Sequence, residues 1–398
     1  MTTISLILLI ILFIPTVYIF LIALASTKPA RQISFKERNP LTFFVIAIPA
    51  HDEETVIAAT VQRLLALDYP KNQFSIHIVA DHCTDLTAEK ARLAGAVVHE
   101  RNEGPRSGKG AALSWLFQRV LQDPLTTAVV IFDADTLVDP QFLRVMDAHL
   151  VEGVKVIQGQ HRIINPHQGW FPALTWAMFI IDNRFQNLGR SNLGWSAKHM
   201  GDSICFQADV LRRLGWGEGL TEDYQLRQRL LLDGIRIVYE PAAIGRGEAP
   251  LTWSLARAQR ARWLRGTHDA SQKFASELLR AAIEKRSGAL LDGALQAYLP
   301  SYSSLTMAAG ILFAIQILIN LAGGSIFPSN IIIAWGILLI FLYFYPLFGL
   351  LLERAPANAY LAIMSGPIFI IWRTWLALRT RLSSHSVTWV RTSHGGRQ

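Results

Sequence analysis

Residues 4–25, ISLILLIILFIPTVYIFLIALA, form an unbroken run without one charged side chain. At about 1.5 Å per residue, a helix of that length crosses a hydrocarbon core of roughly 30 Å. A cleaved signal peptide needs a basic stretch ahead of a shorter apolar one. Here no Lys or Arg precedes Ile4, whereas Lys28, Arg31, Lys36 and Arg38 follow the run. The positive-inside rule then predicts an anchor over 1–28, with its N-terminus outside and the next domain in the cytosol. Two more apolar runs, about 299–322 and 330–352, are separated by GGSIFPSN and predict a transmembrane hairpin over 299–352.

The last apolar stretch, Tyr360–Ile371, is short, contains Gly366 and Pro367, and flows into Trp372, Arg373 and Trp375. Those features predict an interfacial or re-entrant helix within 353–398, followed by a basic cytosolic tail. With three spans Arg379, Arg381, Arg391 and Arg397 face the cytosol, and with four they face outward, so three is the expectation. Composition agrees with a membrane component, because only 17% of residues are charged, against about 25% in soluble domains. The formal net charge is +8, but the basic residues are dispersed beside apolar segments rather than gathered in one run. That distribution suits anionic lipid or a phosphorylated substrate, and no nucleic-acid partner is expected. Cys83 and Cys205 are too few for a disulfide framework or a zinc cluster, and they fit a reducing cytosol.

Between the apolar ends, 40–250 reads as an α/β domain. Leu41–Pro49, Ser75–Ala80, Ala96–His99 and Ala128–Phe132 are short apolar runs of buried-strand character. Thr55–Leu67, Thr87–Ala94 and Lys109–Gln122 between them have helical spacing, which implies a mostly parallel sheet with helices on both faces. Ligands of such sheets bind beyond the carboxyl ends of the strands, where Glu53, Asp81, Asp133 and Asp135 fall. Neither GxGxxG nor a Walker A loop is present. The glycine-rich Gly104-Pro-Arg-Ser-Gly-Lys-Gly110 places Arg106 and Lys109 just before a helix, an arrangement that suits a diphosphate.

Asp133-Ala134-Asp135, directly after the buried strand, could hold a hard divalent cation through oxygen ligands. A second acidic site, Thr221-Glu222-Asp223, opens a helical stretch over Tyr224–Asp233. There Thr221 could equally serve as an N-cap, with the acids favouring the helix dipole. Downstream, 251–298 reads as an amphipathic or interfacial helical segment. Within it Gln259, Arg262 and Trp263 share one helix face, offering an amide, a phosphate-binding guanidinium and an indole platform.

The ordered set Pro49-Ala-His-Asp-Glu-Glu54, Ala80-Asp-His-Cys-Thr-Asp85, Gly108-Lys-Gly110, Asp133-Ala-Asp135, Thr221-Glu-Asp223 and Gln259-Arg-Ala-Arg-Trp263 resembles the family 2 glycosyltransferases. More narrowly, it is similar to their membrane-integrated branch, which includes cellulose, hyaluronan and poly-N-acetylglucosamine synthases and ceramide glucosyltransferases. The resemblance covers about 45–265. It implies a GT-A nucleotide-sugar-binding fold, flanked here by transmembrane helices and an interfacial helix. Ala50, Glu53 and Asp81 would contact the nucleoside and Lys109 the diphosphate. Asp133 and Asp135 would hold the donor with Mg²⁺ or Mn²⁺, and Asp223 would be the general base. Glu222, Gln259, Arg262 and Trp263 would belong to the diphosphate and acceptor side.

The resemblance implies an inverting single displacement from a nucleotide-sugar, with UDP as the expected nucleotide, to a glycan or lipid acceptor. The expected setting is a bacterial inner membrane, with membrane lipids as neighbours and the catalytic domain cytosolic. One departure stands out. Relatives often carry Tyr-Asn after the first strand, where this chain has His51-Asp52. Asp202, in Met200-Gly-Asp-Ser-Ile-Cys-Phe206, falls where relatives have an acceptor loop and is a candidate ligand of a sugar hydroxyl, whereas Cys205 reads as packing. Three functions compete: a polysaccharide synthase, which with three spans would need a homo-oligomer or an export partner; a non-processive lipid glycosyltransferase; and a non-catalytic membrane scaffold.

Overall fold

A computed structural model describes residues 1–382 apart from 36–37, 218 and 324–325. Arg391 and Arg397 of the basic tail therefore lie outside the described residues. The first apolar run is helix α1 (Thr2–Ala25). Eight strands follow as one sheet: β1 (Phe44–Ala50), β2 (Phe74–Asp81), β3 (Val97–Arg101), β4 (Ala128–Ile131), β5 (Leu137–Val138), β6 (Val156–Ile163), β7 (Ile204–Gln207) and β8 (Ile237–Gly247), in the order β3-β2-β1-β4-β7-β6-β8-β5. The half made of β3, β2, β1 and β4 is parallel, as the strand–helix alternation predicts. β7 then inserts antiparallel between β4 and β6, so the second half is mixed.

Helices α2 (Ile57–Leu65), α3 (Thr87–Leu93), α4 (Lys109–Val120) and α5 (Phe142–Val151) cover the sheet. β1 and β4 show why both faces are covered: every residue of Ala128–Ile131 is fully buried, and β1 is buried almost throughout. Alternate residues point to opposite faces. Phe44, Ile46 and Ile48 pack with α2 and α5, while Val45, Ala47 and Val129 pack with α4. Burying such side chains contributes about 1.5–3 kcal/mol each.

Next along the chain come α6 (Trp170–Asp182), a π-helical stretch Asn183–Gly189, α7 (Arg190–Asn192), α8 (Ala208–Leu214) and α9 (Glu222–Leu232). The expected 251–298 segment is two helices, the long α10 (Trp253–Glu284) and α11 (Gly288–Tyr298), the second capped by Ser287 Oγ accepting from the Leu290 amide. α12 (Tyr302–Gly323) and α13 (Ser329–Leu352) form the hairpin, and with α1 they are long and apolar enough to cross a membrane. α14 (Ala357–Met364) and α15 (Gly366–Leu382) meet at a 49° bend by Ser365. Gly366 and Pro367, from which an interfacial or re-entrant helix was expected, sit at that break.

Two polar networks join the apolar helices to the rest. Ser5 Oγ donates to Gln316 Oε1 at 2.6 Å and accepts from Trp335 Nε1 at 2.9 Å, linking α1, α12 and α13. Such interhelical bonds are typical of apolar surroundings, where no water competes. Lower down, Asp292 of α11 is fully buried and accepts from four groups. These are Tyr18 of α1 at 2.6 Å, Arg190 Nε at 3.0 Å, Arg227 of α9 at 3.3 Å and Gln296 at 2.6 Å. A single carboxylate thus ties the anchor helix to α9. Close packing supports the joint, because a Cβ at Gly189 would collide with the Ile22 carbonyl.

Candidate active site

The parallel strands deliver their carboxyl ends to one side of the sheet, and the sequence continues there with polar residues. Asp81 closes β2 and is buried. Its Oδ1 accepts from Arg101 Nη1 at 2.5 Å and faces His82 Nδ1 at 2.9 Å, which fixes the carboxylate against the end of β3. His51 Nδ1 lies 2.7 Å from the Asp81 carbonyl oxygen. The departure from the usual Tyr-Asn pair is therefore a histidine locked onto the neighbouring strand, not a solvated turn residue. Asp52 adopts φ 54° and accepts from the Thr84 amide at 2.7 Å, so this pair braces the two strand ends. His51, Asp52 and Cys83 are close enough to share a cation. Burial pushes the Cys83 thiol up to about 11, however, which withholds the thiolate a metal requires.

Asp133 and Asp135 follow β4 on the loop before β5, both half-buried. Lys109, at the start of α4, bonds Asp133 Oδ1 and donates to the Gly201 carbonyl at 2.6 Å. Burial works against the Lys109 charge, but Asp133 and Asp202 outweigh it and its pKa is raised. Two carboxylates at one strand end supply part of the oxygen shell of a hard cation, and a diphosphate and water can complete it.

Asp202 is placed differently from its expected role. Rather than facing a sugar hydroxyl, its buried carboxylate accepts from the Asp133 amide at 3.0 Å, Thr136 Oγ1 at 3.1 Å and Ser203 Oγ at 2.9 Å, with His161 Nδ1 at 2.7 Å. Burial opposes its ionisation, but His161 and Lys109 prevail and hold it down to about 2. A carboxylate that is saturated by four groups has no lone pair to spare for an acceptor. Its position clamps the loop that carries Asp133 and Asp135. Asp202→Asn should therefore weaken divalent-cation affinity by about 10–100-fold, the usual cost of losing an outer-shell partner, as read by Mn²⁺ titration of donor turnover. His161 had no signal in the sequence, because β6 was not foreseen and only its pairing with β8 turns the side chain inward.

Glu222 and Asp223 open α9. Thr221 does not cap it with its side chain, and its buried Oγ1 has no partner among the described residues. Instead Gly266 of α10 packs on Thr221 so closely that a Cβ there would lie 2.6 Å from Oγ1. Gly110 likewise lets α4 rest on Glu222, a Cβ at that position falling 2.8 Å from Cγ. Asp223 Oδ2 faces Gly201, which takes a positive φ of 79°. Burial, reinforced by Asp223, pushes Glu222 up to about 7. Burial also raises Asp223, against the opposing pull of the Tyr224 amide, Lys109 and Arg262.

Gln259, Arg262 and Trp263 on α10 reach the same space, and Arg262 Nη1 donates to the Leu220 carbonyl at 3.1 Å. One cavity of about 1490 Å³ is lined by all eleven residues singled out from the sequence: Ala50, Glu53, Asp81, Lys109, Asp133, Asp135, Glu222, Asp223, Gln259, Arg262 and Trp263. Sites more than 200 residues apart in the chain therefore face one chamber.

A family model described as "Glycosyltransferase like family 2" matches residues 40–266. The chain belongs to that family. A β-monoglucosyldiacylglycerol synthase from Nostoc sp. is 30% identical over 242 residues, covering 58% of this chain and 50% of the relative. A poly-β-1,6-N-acetyl-D-glucosamine synthase from Staphylococcus aureus is 28% identical over 257 residues, covering 61% and 58% respectively. The chain therefore spans only about half to three-fifths of these relatives' length. Among solved structures, the mannosyltransferase PcManGT from Pyrobaculum calidifontis, in complex with GDP-Man and Mn²⁺, superposes with a TM-score of 0.59 at 19% identity. That match covers 92% of this chain and 99% of the other, and it establishes the GT-A fold together with the helices around it.

Proposed function

We propose that this enzyme is a metal-dependent inverting transferase that moves one sugar from a nucleoside diphosphate to the hydroxyl of a lipid acceptor at the cytosolic membrane face. The observation that carries this reading is the extent of the cavity. From Asp133, Asp135 and Asp223 it continues past α10 to Tyr343, Tyr345 and Pro346 of α13 and to Met364 and Phe369 of the bent pair. A hydroxyl presented from the membrane would meet Asp223 within the same chamber.

In the reaction, Asp223 takes the acceptor proton and the acceptor oxygen bonds the anomeric carbon from the face opposite the leaving diphosphate. The bond from that carbon to the phosphate oxygen breaks, and the nucleoside diphosphate leaves with both electrons. Asp133 and Asp135 would hold Mg²⁺ or Mn²⁺, which supplies charge neutralisation for the leaving diphosphate. Lys109 and Arg262 add fixed positive charge there. Ala50, Glu53 and Asp81 sit at the strand ends suited to the nucleoside, and Trp263 and Gln259 line the chamber on the diphosphate and acceptor side. Lys28, Arg31 and Arg38 after α1 support a cytosolic catalytic domain. A UDP-linked donor is the first to test.

The named activity of the Nostoc relative supports a lipid acceptor, whereas that of the Staphylococcus relative supports a polymer. A polymer would require the chamber to lead on to an exit built with a second copy or an export partner. Incubating purified membranes with labelled nucleotide-sugars and sizing the product separates the two. One organic-soluble product, abolished by EDTA and restored by Mn²⁺ or Mg²⁺, is the expected result. A ladder of long chains would replace this reading with the polymer one, and metal-independent turnover would remove Asp133 and Asp135 from their role.

A further inference from the structure

The walls of the chamber are electrically divided. Its sheet end carries the acids Asp81, Asp133, Asp135 and Asp223, balanced in part by Lys109 and Arg262. The end toward the bent pair carries, besides Arg265, which pairs with Asp269, two further guanidinium groups that catalysis does not use, Arg260 of α10 and Arg373 of α15, both lining the chamber. Among the described residues neither makes an ion pair with a carboxylate. Asp182, the acid whose charge reaches them, is held by Lys198 at 3.0 Å. Arg373 Nη1 donates to Ser303 Oγ at 3.0 Å, a neutral partner. Arg260 lies over the rings of Phe369 and Phe171, at 5.0 and 5.5 Å from their centroids. Ring faces offset part of the cost of burying a cation but supply no negative charge.

Arg260 does not duplicate Arg262. Two residues along an α-helix turn the side chain by about 200°, so Arg260 points away from the face on which Arg262 meets the Leu220 loop. Burial, with Arg373 next, pushes the Arg260 guanidinium down to about 10, so it still carries its charge at neutral pH. Two like charges in a confined chamber, with no counter-ion of their own, constitute an anion site. The surroundings narrow the anion further: Phe171, Leu174 and Phe369 form a buried apolar cluster, with Trp253 and Trp372 packed against it. A free phosphate has no use for such a wall, whereas a phosphate joined to a hydrocarbon chain does.

We propose that Arg260 and Arg373 bind the phosphate of a lipid head group, so that the membrane acceptor is an anionic phospholipid-type molecule rather than a neutral one. This rests on the lipid-acceptor reading above and narrows it. The phosphate is held in the chamber while the hydroxyl of the same head group reaches Asp223.

The test uses the full chain in phosphatidylcholine nanodiscs and three labelled probes: dihexanoyl phosphatidic acid, dihexanoylglycerol and inorganic phosphate. Equilibrium binding should favour the phosphatidic acid over the glycerol by about tenfold or more, the usual gain from charge-assisted hydrogen bonds. Inorganic phosphate, which has the charge but no chain, should bind far more weakly than the phosphatidic acid. Arg260→Gln and Arg373→Gln should each erase about tenfold of the preference, and Arg260→Lys and Arg373→Lys should restore most of it, which separates loss of charge from loss of folding. Equal binding of the two lipids, or wild-type preference in both glutamine variants, overturns the proposal. Phosphate binding as tightly as the lipid overturns it in favour of a soluble anion. Charge-selective binding without transfer to any lipid supports this site while rejecting the lipid-acceptor function, so the two failures are distinguishable.

Discussion

Asp223→Asn should lower kcat for sugar transfer by about 10²–10⁴-fold, the usual contribution of a positioned general base, while the donor KM stays close to wild type. The amide keeps the shape and the neighbours of the carboxylate but cannot take a proton. An interaction needed only in the transition state reduces kcat and kcat/KM together, so steady-state kinetics at saturating acceptor is the measurement. A wild-type kcat would move the base elsewhere, and Glu222 would be the next residue to test.

The same pair sets a pH dependence whose sign follows from burial. A base must be ionised to act. Because burial raises Asp223 beside a Glu222 pushed up to about 7, kcat/KM should begin to fall at a pH above the ordinary carboxylate range of about 4. Glu222→Gln removes one of two interacting charges, so the acid limb should move to lower pH. Stability runs the opposite way. A carboxyl whose folded pKa lies above its unfolded value makes the folded state bind the extra proton between the two. Stability contributed by this pair is therefore present below about 4.5 and is lost as pH rises to about 7. The site is thus most active where its carboxylates cost the fold most.

The second large effect is on folding. Asp292→Asn should destabilise the protein by about 3–5 kcal/mol, the range for breaking a buried ion pair from one side. Arg190 and Arg227 are almost fully buried and both lean on this carboxylate. Losing its charge leaves two cations facing each other, with Arg227 Nη1 already lacking a partner among the described residues. The amide keeps one acceptor oxygen where the carboxylate had two, so Tyr18, Gln296 and the arginines compete for it and α1 should loosen from α9. Thermal unfolding in detergent is the direct measurement. Protease sensitivity of the segment between α1 and β1 should rise in parallel. A melting temperature equal to wild type would show that Gln186, which accepts from Arg190, and the carbonyls of Ser196 and Ala197, which accept from Arg227, suffice to hold the two arginines.

Much of this architecture is local and therefore legible in the chain itself. Hydrophobic length alone identifies α1, α12 and α13, since only a continuous apolar helix can satisfy its backbone in lipid. Short apolar runs between helical stretches identify β1 to β4, and their ends point to Asp81, Asp133 and Asp135. The second half of the sheet was not legible. β6, β7 and β8 owe their places to partners far away in the chain: β7 is only four residues long, and β8 breaks its register against β6 between Gly159 and Gln160. Non-local pairing of this kind leaves little periodic trace.

The functional residues divide in the same way. Family motifs in order, from Asp81 to Trp263, are written along the chain, and sequence by itself determined the family and the apolar helices that flank its domain. Only the tertiary structure decided that Asp202 braces the acidic loop, that Thr221 is a packing contact instead of a cap, and that Arg260 stands apart from Arg262. Each of those distinctions depends on what surrounds a side chain, and surroundings are assembled by contacts between segments that do not know of one another until the chain has folded.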